Sequence, residues 1–482
     1  MSGSHAAETA KIHAQLKHPV IDSDGHWIEF EPAAVDYLHH VGGDKIVERY
    51  GKVANQFGNK KWAQTPADER AERRMLQPGW WGVPTKNTRD RATAMLPKLL
   101  YERMGEIGLD FAVIYPTSGA LFAPFLRDEE IRRAACRAFN MYTADQFKGL
   151  GDRLTPAAVV PMYSPEEAVE ELEFVVKTLG SKAVMLGSLP RRTVPAVAKS
   201  NPEASRYAVW HDTLGLDSAY NYDPVWAKCV ELGISPTFHS ASSGIGLRTS
   251  ISNFVYNHIG HFGQAGEAVC KALFIGGVTR RFPQLRFGFL EGGVGWACSL
   301  YSDLIGHWKK RNPTALDATN PANLNREMLV DLVQRYGSQA LIDKLDQLAP
   351  GVGLLMERPE QLDDFGACGI EKASDIRDLF VPNFYFGCEA DDPVTSWSFK
   401  DNVNPYGAKL NAIFGSDIGH FDVPDMTEVL VEAYEGVEDG IITEENFRDF
   451  VFGNPARFWT AMNPNFFKGT AVESQVQKFL AA

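Results

Sequence analysis

Eight short, β-rich apolar runs separated by helix signals limit the fold of this chain more than any other feature. They are Pro19–Ile21, Phe111–Tyr115, Thr155–Pro161, Lys182–Leu186, Ser235–Phe238, Arg286–Leu290, Asn383–Gly387 and Leu410–Phe414. Near-continuous apolar strands suit a sheet covered on both faces, and their alternation with helices makes that sheet parallel. Caps mark the helices between them. Ser164-Pro165-Glu166-Glu167 reads as a capping box with proline at the first helical position. It opens a helix that places Val169, Leu172, Val175, Val176 and Leu179 on one face, and Gly180 closes it. Asp223-Pro224 opens another, which Gly233 ends just before the fifth run. No glycine-rich phosphate turn follows the first run, so eight repeats favour a closed (β/α)8 TIM barrel over a doubly wound sheet.

One barrel with insertions accounts for all 482 residues. The expected layout is a polar N-terminal tail over 1–18, the barrel over 19–462 and a C-terminal extension over 463–482. Long insertions follow the first strand (27–110) and the sixth (308–380), and loops of that size act as lids or dimer elements. The second insertion carries helical patterns at Met328–Tyr336 and Ala340–Leu348.

A net charge of −13 argues against nucleic acid, which demands a clustered basic surface. Arg191-Arg192 and Lys309-Lys310-Arg311 therefore read as solvated surface. No stretch approaches the roughly 18 apolar residues that span a membrane, and the N-terminus lacks an apolar signal core. Six scattered cysteines without a C-x-x-C pair suit buried thiols in a reducing compartment, so a cytoplasmic enzyme is expected.

The polar residues at the ends of the runs carry the chemistry. Asp24 and His26 follow the first run, His239 ends the fifth, Glu291 the sixth and Asp417 the eighth. Singly, each has an ordinary explanation: a polar turn, a satisfied core histidine, a helix-terminal carboxylate. In a (β/α)8 barrel, however, all of them face the C-terminal mouth, where this fold builds its active sites. Together they read as a metal site.

The chain resembles the amidohydrolase superfamily, in its aminocarboxymuconate-semialdehyde-decarboxylase-like, amidohydrolase-related branch. The resemblance runs from Pro19 to Trp459. It rests on Val20-Ile21-Asp22-Ser23-Asp24-Gly25-His26, Phe238-His239, the stretch from Arg281-Phe282-Pro283 to Glu291-Gly292-Gly293, Phe414-Gly415-Ser416-Asp417 and Gly453-Asn454-Pro455-Ala456-Arg457. It implies a divalent metal held by Asp24, His26, His239 and Asp417, the last also a candidate proton carrier. Two positions depart from the family pattern. Asp24 stands where the first-strand motif has histidine, and Glu291 stands where the decarboxylases end the sixth strand in histidine.

With Glu291 added, the ligand set is carboxylate-rich. That favours Mn²⁺ or Fe²⁺, as one ion or two, with Zn²⁺ as the alternative. The expected activity is hydrolysis or metal-assisted decarboxylation of a small, carboxylated organic substrate. A dinuclear iron or manganese oxygenase is the second reading, and a scaffold subunit without catalysis the third. His261 and His420 are candidates for the proton route that the missing sixth-strand histidine leaves open, and Asp422 for orienting Asp417. Glu389 and Asp391 end the seventh strand and can reach the same mouth. Arg89 and Arg91 are candidates to clamp a substrate carboxylate, and Trp80 and Trp81 to wall the pocket. His258 and His261 are spaced to share a helix face. A homo-oligomer is expected by analogy, and a hetero-oligomer with a related chain stays open.

Overall fold

The computed structural model of the chain describes residues 2–54, 59–79, 86–347 and 363–482. At its centre are eight parallel strands: β1 (Ile21–Trp27), β2 (Phe111–Pro116), β3 (Leu154–Val160), β4 (Ala183–Leu186), β5 (Pro236–Phe238), β6 (Phe287–Phe289), β7 (Phe384–Cys388) and β8 (Asn411–Phe414). Sheet order follows chain order from β1 to β8. The seam between β8 and β1 is closed by two backbone bonds, Asp417 N–H to the Asp24 carbonyl (3.0 Å) and His26 N–H to the Ile418 carbonyl (2.8 Å). This is the (β/α)8 barrel that the eight runs predict.

The helices that the argument needs are α1 (Ser2–Gln15), α2 (Glu31–Ala54), α3 (Pro97–Ile107), α4 (Glu129–Gln146), α5 (Pro165–Lys177), α6 (Asp223–Leu232), α7 (His261–Ile275), α8 (Gly295–Arg311), α9 (Arg326–Tyr336), α10 (Ala373–Phe380), α11 (Val429–Glu438) and α12 (Asn454–Met462). Helix α5 carries the expected capping box, formed by Ser164 and Glu167, and buries Ala168, Leu172 and Val175. Between β7 and β8 the crossover shortens to a 3₁₀ segment, Pro393–Phe399. Tyr115 on β2 and Thr237 on β5 belong to strands that are not neighbours, yet their hydroxyls meet at 3.0 Å. That contact crosses the barrel interior and forms a floor beneath the mouth.

Several expectations change. The sequence ends the first strand at Ile21, whereas β1 continues to Trp27. Its polar residues hide it from a hydrophobic pattern, but a buried strand tolerates polar groups that find partners. Asp22 supplies most of them. Its Oδ1 accepts the N–H of Asp24 and of Ser416, each at 3.0 Å, and its Oδ2 accepts the Ser416 hydroxyl at 2.6 Å. A bulge between Asp22 and Gly25 adds one residue against β2, and bulges of this kind re-aim side chains beside active sites. Gly25 is required there, because a Cβ would lie 2.7 Å from Asp22 Oδ2 and 2.9 Å from Ile114 Cδ1.

Within the expected N-terminal tail, Ser2–Gln15 forms helix α1. It buries Thr9 and Ile12, and His13 Nε2 holds Asp110 Oδ2 at 2.9 Å. The C-terminal segment packs Phe466 and Phe467 against Phe111 at the start of β2, on the strand-start side of the barrel. Arg192 is not solvated surface. It pairs with the buried Asp212 (3.0 Å) in an antiparallel hairpin, Arg191–Thr193 with Val209–His211, that the apolar pattern does not reveal. The first insertion is largely helical among the described residues and includes α2 and α3. In the second, α9 covers the predicted Met328–Tyr336, the predicted Ala340–Leu348 shortens to Gln339–Ile342 and a 3₁₀ turn at Leu345–Gln347, and residues 348–362 lie outside the described residues. All six cysteines are buried and free, and among the described residues no helix is long and apolar enough to cross a membrane.

The Asp22 contacts lead to a stability prediction. Asp22→Ala strands three buried donors at roughly 1–3 kcal/mol each, so thermal melting should fall by several degrees. Asp22→Asn keeps an acceptor for the two N–H groups and should lose clearly less. Equal losses in the two variants, measured by scanning calorimetry, would show that this carboxylate does not tie β1 to β8.

Candidate metal centre

Four strand ends deliver the side chains. Asp24 and His26 lie within β1, His239 directly after β5, Glu291 two residues after β6 and Asp417 three residues after β8. All five are buried. Glu291 and Asp417 have left-handed backbones, with φ of 57° and 50°. A residue with a Cβ pays about 1–2 kcal/mol for that conformation, and such strain concentrates at functional sites. Here it turns both carboxylates back over the mouth.

The donor atoms converge. His26 Nε2 lies 3.3 Å from Asp417 Oδ1, 3.5 Å from Asp24 Oδ1 and 3.9 Å from Glu291 Oε2, and His239 Nε2 touches Glu291 Oε2. Two overlapping sets result, Asp24–His26–His239–Glu291 and His26–Glu291–Asp417–His420. Within each set the ligand atoms lie within 4.8 Å of one another. These atoms approach without hydrogen-bond alignment. Both ring nitrogens of His26 and of His239, both carboxylate oxygens of Glu291 and of Asp417, and Asp24 Oδ1 are buried with no hydrogen-bond partner. Unmet buried polar atoms cost roughly 1–3 kcal/mol each, more when charged, so a cluster of them is stable only around something that accepts many lone pairs. Divalent cations do so. The residues present therefore fit such an ion.

Electrostatics agree. Burial, reinforced by neighbouring carboxylates, pushes Asp24 and Asp417 well above the usual carboxylate range, and burial does the same to Glu291. Burial, then the facing His420 and His239 rings, holds His26 well below its ordinary value, and burial lowers His239. Left to themselves, the carboxylates stay protonated and the imidazoles neutral. A dication favours the ionised carboxylates and needs the neutral imidazoles.

The remaining candidates divide. His420 joins the second ligand set: its Nδ1 lies 2.7 Å from Asp417 Oδ1 and its ring stacks on His26 at 3.9 Å. Burial depresses it to about 3. His261 opens α7, buried, with its ring 4.7 Å from that of His258, and burial holds it near 3. The two do not share a helix, because Gly260 (φ +69°) separates Phe254–His258 from α7. Glu389 follows β7 and is pushed up to about 9 by burial and by Glu291, so it holds its proton at neutral pH. Asp391 and Asp422 are exposed, though Asp422 stays close enough to add to burial in pushing up the Asp417 and Glu291 carboxyls.

Arg89 is not brought to the cluster. It is exposed on Thr88–Met95 and pairs with Glu106 at 2.8 Å, as a long side chain does when an acidic partner lies nearer than the mouth. Arg91 lies half-buried on the same helix. Trp80 and Trp81 fall outside the described residues. A cleft of about 240 Å³ bounded by Asn140, Thr143, Phe147 and Lys182 opens at the strand-start end and contains no His, Cys, Asp or Glu. Sequence reasoning missed Asp22, Glu29 and Thr117, whose roles depend on partners distant in the chain.

The sign of the pH effect follows from these shifts. In the metal-free protein, raised carboxylates lose stability as pH climbs above about 4, and lowered histidines lose it as pH falls below about 6.5. Added Mn²⁺ should raise the melting temperature at pH 7–8, by the equivalent of about 2.7 kcal/mol at a hundredfold excess over Kd. That gain should shrink steadily from pH 6.5 to pH 4. Glu291→Gln should melt higher than wild type without metal and lower with it. A metal-induced shift that is independent of pH would contradict this account.

The family model described as amidohydrolase matches residues 21–318. Among solved structures, an amidohydrolase from Mycobacterium avium subsp. paratuberculosis K-10 superposes with a TM-score of 0.51 at 18% identity, covering 92% of this chain and 100% of that one. A 2,6-dihydroxybenzoate decarboxylase from Rhizobium aligns at 12% identity over 92% of this chain and 99% of its own (TM-score 0.49). A dihydroxybenzoic acid decarboxylase from Polaromonas sp. JS666, with bound manganese, aligns at 15% identity over 92% and 97% (TM-score 0.48). The match spans most of the barrel and includes the strand ends that carry Asp24, His26, His239 and Glu291, so the chain belongs to the amidohydrolase family.

Proposed function

We propose that this chain is a metal-dependent enzyme that acts on a small organic substrate by hydrolysis or by loss of CO₂. The carrying observation is the convergence of unpartnered donor atoms from Asp24, His26, His239, Glu291 and Asp417 at the mouth of the barrel. Three carboxylates beside three imidazoles favour Mn²⁺ or Fe²⁺ over Zn²⁺. The two sets share His26 and Glu291, so one ion or a pair would draw on the same residues. Bound divalent ions lower the pKa of water towards about 7 and polarise a carbonyl or carboxylate.

The protein's own groups supply the rest. Glu389, pushed up to about 9, holds a proton it can donate at neutral pH, whereas His261, held near 3, stays neutral and would accept a hydrogen bond rather than a proton. The rings of Phe254, His258 and Phe421 approach one another within 6.0 Å beside His261 and form an aromatic wall for a flat substrate. A second reading rests on the carboxylate-rich, overlapping sets: an iron or manganese pair that uses O₂ to hydroxylate the substrate. The same protein residues hold the ions in either case.

Elemental analysis of aerobically and anaerobically purified protein should find stoichiometric manganese or iron. His26→Ala and His239→Ala should each lose most of that metal and leave below about one-hundredth of the activity. Consumption of O₂ during turnover would select the second reading, and CO₂ or hydrolysis product without O₂ uptake the first. Full metal content in both variants would remove the proposal.

A further inference from the structure

Thr117 sits just beyond β2, where the mouth-side ends of β1 and β8 come together. Its Oγ1 lies 2.9 Å from the Trp27 carbonyl oxygen and 3.2 Å from His420 Nε2. A hydroxyl has one hydrogen, and a carbonyl oxygen has only lone pairs to offer. The Thr117 hydrogen therefore goes to Trp27, and its oxygen faces His420 as an acceptor. For the His420 contact to be a hydrogen bond, Nε2 must carry the hydrogen.

We propose that Thr117 is a positioning residue that holds His420 as the Nε2–H tautomer, leaving its Nδ1 lone pair for an ion shared with His26, Glu291 and Asp417. This deepens the metal reading above and rests on it for the ion, though not for the tautomer. The opposite tautomer would form a His–Asp pair, with Nδ1–H donating to Asp417. It would also set a bare Nε2 against the Thr117 lone pairs at 3.2 Å, a repulsive, part-buried contact between two acceptors.

The surroundings leave His420 little freedom to choose otherwise. Its ring lies flat on His26 at an interplanar angle of 20°, and its backbone N–H bonds back to the Asp417 carbonyl at 3.2 Å, which fixes the turn that carries the ring. Thr117 is itself held. The carboxylate of Glu29, 4% exposed, accepts the N–H groups of Thr117 (3.0 Å), Ser118 (2.9 Å) and Gly119 (2.6 Å). A connected path thus runs from Glu29 through the turn and the Thr117 hydroxyl to His420. Outer groups of this kind set which imidazole nitrogen meets a metal.

The test uses the full chain labelled with ¹⁵N-histidine and stripped of metal. Long-range ¹H–¹⁵N correlation spectra distinguish the tautomers, and His420→Gln identifies the His420 signals by their loss. Wild type should show Nε2 protonated and Nδ1 bare. Thr117→Val should move His420 to Nδ1–H or to a mixture, and Thr117→Ser should restore the wild-type pattern. In calorimetric titrations with Mn²⁺ alone, Thr117→Val should weaken the second equivalent about 10- to 100-fold and spare the first, and Thr117→Ser should recover it. An Nδ1–H signal in wild type overturns the proposal, and that spectrum decides the tautomer even if Thr117→Val does not fold. An unchanged tautomer and titration in Thr117→Val overturns it equally. A wild type that shows Nε2–H yet takes up no metal supports the Thr117 assignment and refutes the metal reading instead.

Discussion

The seam between the first and last barrel strands is the constraint on which the site depends. Asp22 and Ser416 are 394 positions apart, yet one carboxylate binds the N–H and hydroxyl of Ser416 and also the N–H of Asp24. Next to it, the Asp417 N–H reaches the Asp24 carbonyl. Ring closure and ligand placement are therefore one event. The bonds that finish the barrel set Asp417 opposite Asp24 and His26, and bulk at Gly25 or Gly415 would press on the same residues. A hydrophobic core alone would not fix this register, because dispersion and burial are indifferent to small slides along a strand.

The mouth is built at the expense of stability. Three carboxyl groups and three imidazoles are removed from water, two of the carboxylates sit on left-handed backbones, and most polar atoms of the carboxyls, His26 and His239 have no hydrogen-bond partner among the described residues. Each term opposes folding, and a divalent ion reverses the electrostatic ones. This is the usual relation between stability and activity, in which local rules are broken where chemistry is done and satisfied elsewhere. The surrounding scaffold is accordingly rigid: closely packed aromatic rings of Phe238, Phe287, Phe289, Phe384 and Phe386 lie behind the ligand-bearing strand ends.

Histidine in this site has more than one task. His26 and His239 point unpartnered nitrogens at the cluster centre, His261 stands at its rim beside aromatic rings, and His420 is gripped from both sides. The sequence treats these residues alike, as imidazoles near strand ends. What separates them is the second atom each ring touches. For His420 that atom is a threonine hydroxyl contributed by the neighbouring crossover, and a hydroxyl already committed to a carbonyl can act only as an acceptor.

Much of the architecture was legible because it depends on local, periodic signals. Apolar runs mark strands wherever the strand is buried by hydrophobic side chains, and the Ser164 box and the Gly180 and Gly233 stops mark helix ends. The same logic failed where a strand is polar, as in β1, where a half-buried arginine finds a distant aspartate, as with Arg192, and where a polar tail turns out to hold a docked helix. The sequence by itself determined the eightfold repeat and the set of ligand-type residues at strand ends, since both follow from residue type and spacing. Only the tertiary structure decided that β1 runs on through Asp24 and His26, that Glu291 and Asp417 turn inward on left-handed backbones, that Arg89 is held at the surface by Glu106, and that His420 lies with the candidate ligands. Those outcomes depend on which groups meet across hundreds of residues, and no local preference encodes a partner that the chain has yet to reach.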